Sequence, residues 1–133
     1  MNNKLGKILA EISVGELFDK ISILEIKKTK IQDINKLKDV LKELGSLNET
    51  LKKYDLNKTD ERLKDLIKKL TNINLELWDI EDGKRIAEKN NDFGENFIKL
   101  ARNVYKKNDK RAKIKFEINK VLGSNIKETK SHY

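Results

Sequence analysis

WDIEDGKRIAEKNNDFGENFIKLARNVYKKNDKRAKIKFEIN, residues 78–119, is the stretch whose reading decides the fold. Two helical patterns flank an Asn90-Asn91 turn. The first enters from upstream, where Leu63, Leu66, Leu70, Ile73, Leu77 and Ile80 recur at three and four, predicting a helix from about Asp60 to Asn90. In its second half that stripe turns polar, carrying Glu81, Lys84, Arg85 and Glu88 with Trp78 beside them. Beyond the turn, Asp92 with Glu95 is a helix-start signal, and Gly123 stands where a C-cap glycine belongs after Leu122. Phe97, Ala101, Val104, Ile118 and Leu122 mark the inner face of this last helix. On a continuous helix, at 100° per residue, Asn108, Arg111, Lys115 and Asn119 fall on that face too. A break at Asn108-Asp109, with Asp109 capping a fresh helix, still leaves Lys115 between Ala112, Ile118 and Leu122.

Upstream, Ser13 and Glu16 have the spacing of a capping box, with Ile12 and Leu17 placed as its hydrophobic staple. The helix they open runs to about Gln32 with two apolar faces, Leu17, Ile21, Leu24 and Ile31 on one and Ile23, Ile26 and Ile34 on the other. It is therefore expected at the centre, covered from both sides. Asp33 caps a further helix through Ile34, Leu37, Leu41, Leu44 and Leu51, which Gly45 weakens without forbidding. Residues 54–59 read as a connection. Residues 1–12 read as an extended strap and 123–133 as a polar tail anchored by Ile126. The expectation is one all-α domain over 1–133, a small antiparallel bundle of four to five helices.

With 37% hydrophobic and 39% charged residues and no proline, the composition suits amphipathic helices, each with one apolar stripe. No apolar run approaches the roughly 20 residues of a membrane span, and the N-terminus lacks a signal-peptide pattern, so the expectation is a cytoplasmic protein with no membrane contact. Without cysteine, disulfides, zinc thiolates and cysteine nucleophiles are excluded, and the single His132 argues against imidazole catalysis. No phosphate-cradling glycine loop or histidine metal motif occurs, so no cofactor and no metal are expected. Glu76, Asp79 and Asp82 recur every three residues, and Glu16 with Asp19 repeats the step, a spacing compatible with Mg²⁺. Chance alone supplies about 3.6 such pairs in a chain this acidic. The formal net charge is +8, and residues 99–120 hold nine Lys/Arg against Asp109 and Glu117. Such a stripe suits nucleic acid or another polyanion. The alternative is genome composition, since Lys, Asn and Ile have codons rich in adenine and thymine.

A charge facing inward requires a carboxylate, a water-filled pocket or an anionic ligand. Folding the last two helices as an antiparallel hairpin makes facing residue numbers sum to about 183. That register sets Glu81 near Arg102, Trp78 near Tyr105 and Asn74 near Asp109, and predicts an ion pair between Glu81 and Arg102. Partners for Arg111 and Lys115 are then expected from the first helix, at Asp19 or Glu25, or from a ligand. Snorkelling of Lys115 competes with this reading, as does a plain surface pair between Glu81 and Arg85. For Trp78 and Tyr105 the competing role is packing.

The stretches SVGELFDKISILEIKK (13–28), LWDIEDGKR (77–85), FIKLARNVYKKNDKRAKIKFEIN (97–119) and GSNIKETKSHY (123–133) resemble an uncharacterised bacterial and phage family, domain of unknown function 6165. Asp19, Lys20, Glu25, Lys27, Trp78, Glu81, Asp82, Arg85, Arg102, Tyr105, Asn108, Asp109, Arg111, Lys115 and Asn119 all match its pattern. The resemblance implies that these polar groups recur together, and it implies no activity, ligand or catalytic residue. Lys84 departs from a position where the pattern often has an apolar residue.

The function expected from the residues is binding of an anionic small molecule, or an acidic group on a partner protein, in a cation-rich pocket between helices. Arg102, Arg111 and Lys115 are the candidate anion ligands, and Asn108 and Asn119 supply directional hydrogen bonds. Asp19, Glu25, Trp78, Glu81, Arg85, Tyr105 and Asp109 support them. Two rivals stand beside this expectation. One is a metal-free enzyme for a small anionic metabolite, working as helical folds resembling chorismate mutase do. The other is an adaptor for nucleic acid or protein that uses the basic face of residues 99–120.

Overall fold

The structure is a computed structural model that describes residues 4–56 and 60–130. The expected strap, connection and tail each extend partly outside the described residues, as does His132. Four helices follow one another: α1 (Val14–Lys30), α2 (Ile34–Lys53), α3 (Glu61–Lys89) and α4 (Glu95–Leu122). With no strand among the described residues, the chain is an all-α bundle.

The helix starts follow from local chemistry. Ser13 Oγ accepts from Glu16 N, Asp33 from Lys36 N, and Asp60 from both Arg62 N and Leu63 N, so each side chain satisfies amides that have no partner within the helix. α1 ends at Lys30, two residues earlier than expected, because Ile31 is already extended. The start of α4 differs as well. Its N-cap is Gly94, with no capping side chain, while the Asp92 carboxylate accepts from Gly94 N inside the turn. Asn91 takes the left-handed conformation in that turn, which Asn tolerates better than most residues. At the far end Gly123 is left-handed, and Ser124 N reaches back to the Asn119 carbonyl, closing the helix as the glycine predicted. No break occurs at Asn108-Asp109; α4 is continuous.

α1 packs against α2, α3 and α4, whereas α2 packs on α1 alone. The central position expected of α1 therefore holds, but Ile34, expected on its second face, is exposed and begins α2, and Phe18 takes that role. On one side Phe18 joins Leu63, Leu70, Ile73 and Ile118; on the other Leu24 joins Val40 and Leu44. α3 and α4 lie along each other with Glu76 against Lys107 and Gly83 against Leu100, pairs that both sum to 183, as expected of helices running in opposite directions. This geometry carries Arg111, Lys115 and Asn119 of α4 to the first two turns of α1. No helix is long and apolar enough to cross a membrane among the described residues.

Candidate functional site

Asp19 lies in the second turn of α1 with no solvent exposure, an expensive place for a carboxylate. Three groups compensate it. Asn74 Nδ2 donates to Oδ1 at 2.9 Å, Arg111 Nε donates to Oδ1 at 3.0 Å and to Oδ2 at 3.1 Å, and Arg111 Nη2 donates to Oδ2. The guanidinium thus grips the carboxylate through two nitrogens, the fork geometry that suits Arg better than Lys. Arg111 Nη1 reaches Asn108 Oδ1 one turn back at 3.3 Å, and Asn74 also donates to Ser22 Oγ at 3.2 Å. Among the described residues, every buried side-chain nitrogen and oxygen has a partner.

One turn further along α4, Lys115 meets carboxylates from two parts of the chain. Its Nζ is 2.5 Å from Glu16 Oε2, 2.8 Å from Glu128 Oε2 and 3.7 Å from Asp19 Oδ2, with 14% of the side chain exposed. Glu128 is a tail residue held in left-handed backbone, with φ 60°. Its Oε1 accepts from Ser13 Oγ and from Asn119 Nδ2. The tail is fixed at two further points, Ser124 Oγ accepting from Val14 N and Lys130 pairing with Asp109. Asn119 works in two directions at once, its Oδ1 accepting from Gly15 N at 2.6 Å while its amide faces the tail. Gly15 allows this: a Cβ there would stand 2.5 Å from the Lys115 carbonyl oxygen and 2.8 Å from Asn119 Oδ1. The helices touch backbone to backbone at that point.

The electrostatics follow from the geometry. Burial pulls the pKa of Lys115 down, but hydrogen bonds to Glu128 and Glu16 outweigh it, and the net direction is up from 10.5. Arg111 is raised in the same way, with burial opposed by the Asp19 carboxylate. Burial pushes Glu128 up, and the Lys115, Ser13 and Asn119 hydrogen bonds overcome it, so its carboxyl lies below 4.5. A depressed carboxyl stabilises the fold fully above its unfolded pKa and loses that contribution as pH falls through its folded value. The expected result is that the stability difference between the parent chain and Glu128→Gln, measured by urea unfolding, is constant near neutrality and shrinks progressively below pH 4.5. A difference that does not change with pH would show that the carboxylate is not held as described.

The candidates from the sequence divide into two groups. Asn108, Arg111, Lys115, Asn119 and Asp19 come together, and Asp109 borders them through Lys130. Glu25, Arg85, Arg102 and Tyr105 are exposed, and among the described residues none of them forms an ion pair or side-chain hydrogen bond with this cluster. Glu81 pairs with Lys84 on its own helix and not with Arg102: the register was right, but Arg102 sits on the outer side of α4. Trp78 is partly buried in α3, outside the network. Asn74 meets Asp19 and not Asp109. The reciprocal half of the capping box is also absent, because the Glu16 carboxylate turns to Lys115 and Lys20. No three acidic or histidine side chains are grouped as metal ligands would be among the described residues. Sequence reasoning missed Glu128 and Gly15 altogether, although both lie in stretches that carry the family resemblance.

The chain belongs to a family of unknown function (DUF6165), whose model matches residues 8–133. Comparison with curated proteins and with solved structures found no match.

Proposed function

Starting from that family membership, we propose that this is a cytoplasmic helical binding domain with a seat for one acidic group at the junction of α1, α4 and the tail. The observation that carries the reading is Glu128: a carboxylate from outside the bundle rests on Ser13, Asn119 and Lys115, donors supplied by α4 and the start of α1. These are the donors a carboxylate or phosphate oxygen requires, and the tail carboxylate occupies them as an internal acid. The ligand is an anionic small molecule or an acidic side chain of a partner, and it binds by displacing Glu128. Lys115, Asn119 and Ser13 contact it. Arg111, committed to Asp19 and braced by Asn108, positions Lys115 through the shared carboxylate. Binding is favoured over turnover because each acid in the cluster is tied to a cation, an amide or a hydroxyl, which leaves no free base.

A thermal-shift titration with inorganic phosphate, citrate and ATP tests this. Glu128→Gln removes the internal competitor, so its anion-induced stabilisation is expected to exceed that of the parent by several degrees, and adding Lys115→Met abolishes the gain. Equal shifts in all three chains would remove the seat.

A further inference from the structure

α4 carries a second set of cations that the junction with α1 does not use. Lys99, Arg102, Lys106, Lys110 and Lys113 are all exposed. None forms an ion pair or side-chain hydrogen bond among the described residues, whereas Lys107, Lys115 and Lys120 on the same helix are each paired with a Glu. At 100° and 1.5 Å per residue, the five fall within an arc of about 80° and span roughly 21 Å of helix axis. Some surface cations in this chain are paired with a carboxylate one turn away, as in Lys64 with Glu61, Lys69 with Asp65 and Lys84 with Glu81. None of the five is in an ion pair among the described residues, although Glu95 and Glu117 lie one turn from Lys99 and Lys113 at the two ends of the row. Asp109, the acid nearest the row in sequence, is taken by Lys130 of the tail. The row thus sets five cations between Glu95 and Glu117, of which Glu117 is shared with Arg62 and Lys120, on a helix packed against α1 and α3.

We propose that this outer face of α4 binds the phosphate backbone of duplex nucleic acid. A straight, stiff row of cations complements a straight, stiff row of phosphates. The N-terminal end of the row borders a shallow open groove of about 330 Å³ lined by Glu95, Ile98, Lys99, Arg102, Asn103 and Lys106, in which three cations outnumber the one carboxylate. A single strand fits less well: its binders depend on several aromatic platforms for stacking, and the row itself contains none. An acidic protein partner would add apolar anchors at the centre of its interface, whereas Ile98, Tyr105 and Phe116 lie to one side of the row.

Fluorescence anisotropy with a mixed-sequence 20-base-pair DNA duplex tests the proposal on the full chain. If all five cations neutralise phosphates, the slope of log K against log salt is about −4.5, an affinity loss of about 500-fold between 50 and 200 mM salt. The triple variant Lys106→Gln, Lys110→Gln, Lys113→Gln lies on an exposed helix face and should retain the parent circular dichroism. Its slope is expected to fall to about −1.8, a loss of about 12-fold over the same range. An unchanged slope in the triple variant would overturn the assignment. Tighter binding of a single strand, or of a polyglutamate chain of equal charge, would overturn the choice of duplex in favour of that partner.

Discussion

Replacing Asp19 with Ala is expected to cost about 3 kcal/mol of folding stability, at the lower end of the roughly 3–5 kcal/mol seen when one partner of a buried ion pair is removed. Asp19 has no exposure, and the guanidinium it holds keeps 27% of its side-chain surface in contact with water, so the orphaned Arg111 is partly rescued by solvent. Asn74 keeps a partner in Ser22, which limits the loss further. The larger part of the penalty is the positive charge left inside the junction, and this gives the prediction its discriminating form. Asp19→Leu combined with Arg111→Met removes both charges at similar volume and is expected to recover most of the loss in urea denaturation. If the double variant is no more stable than Asp19→Ala, the cost lies in packing and not in the unpaired charge.

Gly15→Ala is expected to destabilise by roughly 2–3 kcal/mol, the upper part of the range of about 1–3 kcal/mol for overpacking. The added methyl would meet the Lys115 carbonyl at 2.5 Å, and a backbone oxygen cannot rotate aside as a side chain would. Relief requires α1 and α4 to separate, and separation stretches the Gly15 N to Asn119 Oδ1 bond and the Lys115 to Glu16 pair together. By contrast Gly45→Ala, on the open side of α2 with nothing near its Cβ, should be neutral or mildly stabilising, since Gly is disfavoured in a helix. Equal midpoints for the two alanine variants in thermal unfolding would mean that the contact at Gly15 is not tight.

The two proposed activities, anion binding at the α1–α4 junction and duplex binding on the outer face of α4, make separable demands on one helix. Lys115 and Asn119 face inward and Lys106, Lys110 and Lys113 face outward, so variants on either face leave the other intact. The charge of α4 is thereby divided between its two faces: the inward cations are paired with Asp19, Glu16 and Glu128, and the exposed cations lie on the outer surface.

The sequence by itself determined what depends on neighbours a few residues apart. Apolar recurrence at three and four gave the helices, Ser13, Asp33 and Asp60 gave three of their starts, and Gly123 gave the last end, because each rests on bonds within one turn. Rotation about the α4 axis was legible as well: Arg111, Lys115 and Asn119 had to face inward if the apolar residues around them did. The hairpin register also followed from the turn. Only the tertiary structure decided who meets those side chains. Arg102 left the expected site because it stands about half a turn of phase from Arg111, which puts it on the outer face. Glu128 entered it because a tail with no periodicity can be placed only by the groups that capture it. Gly15 showed its role only once a second helix lay against it, since a missing Cβ has meaning only where something else fills its space. Partner identity at long range is a property of packing, and no local rule in the chain encodes it.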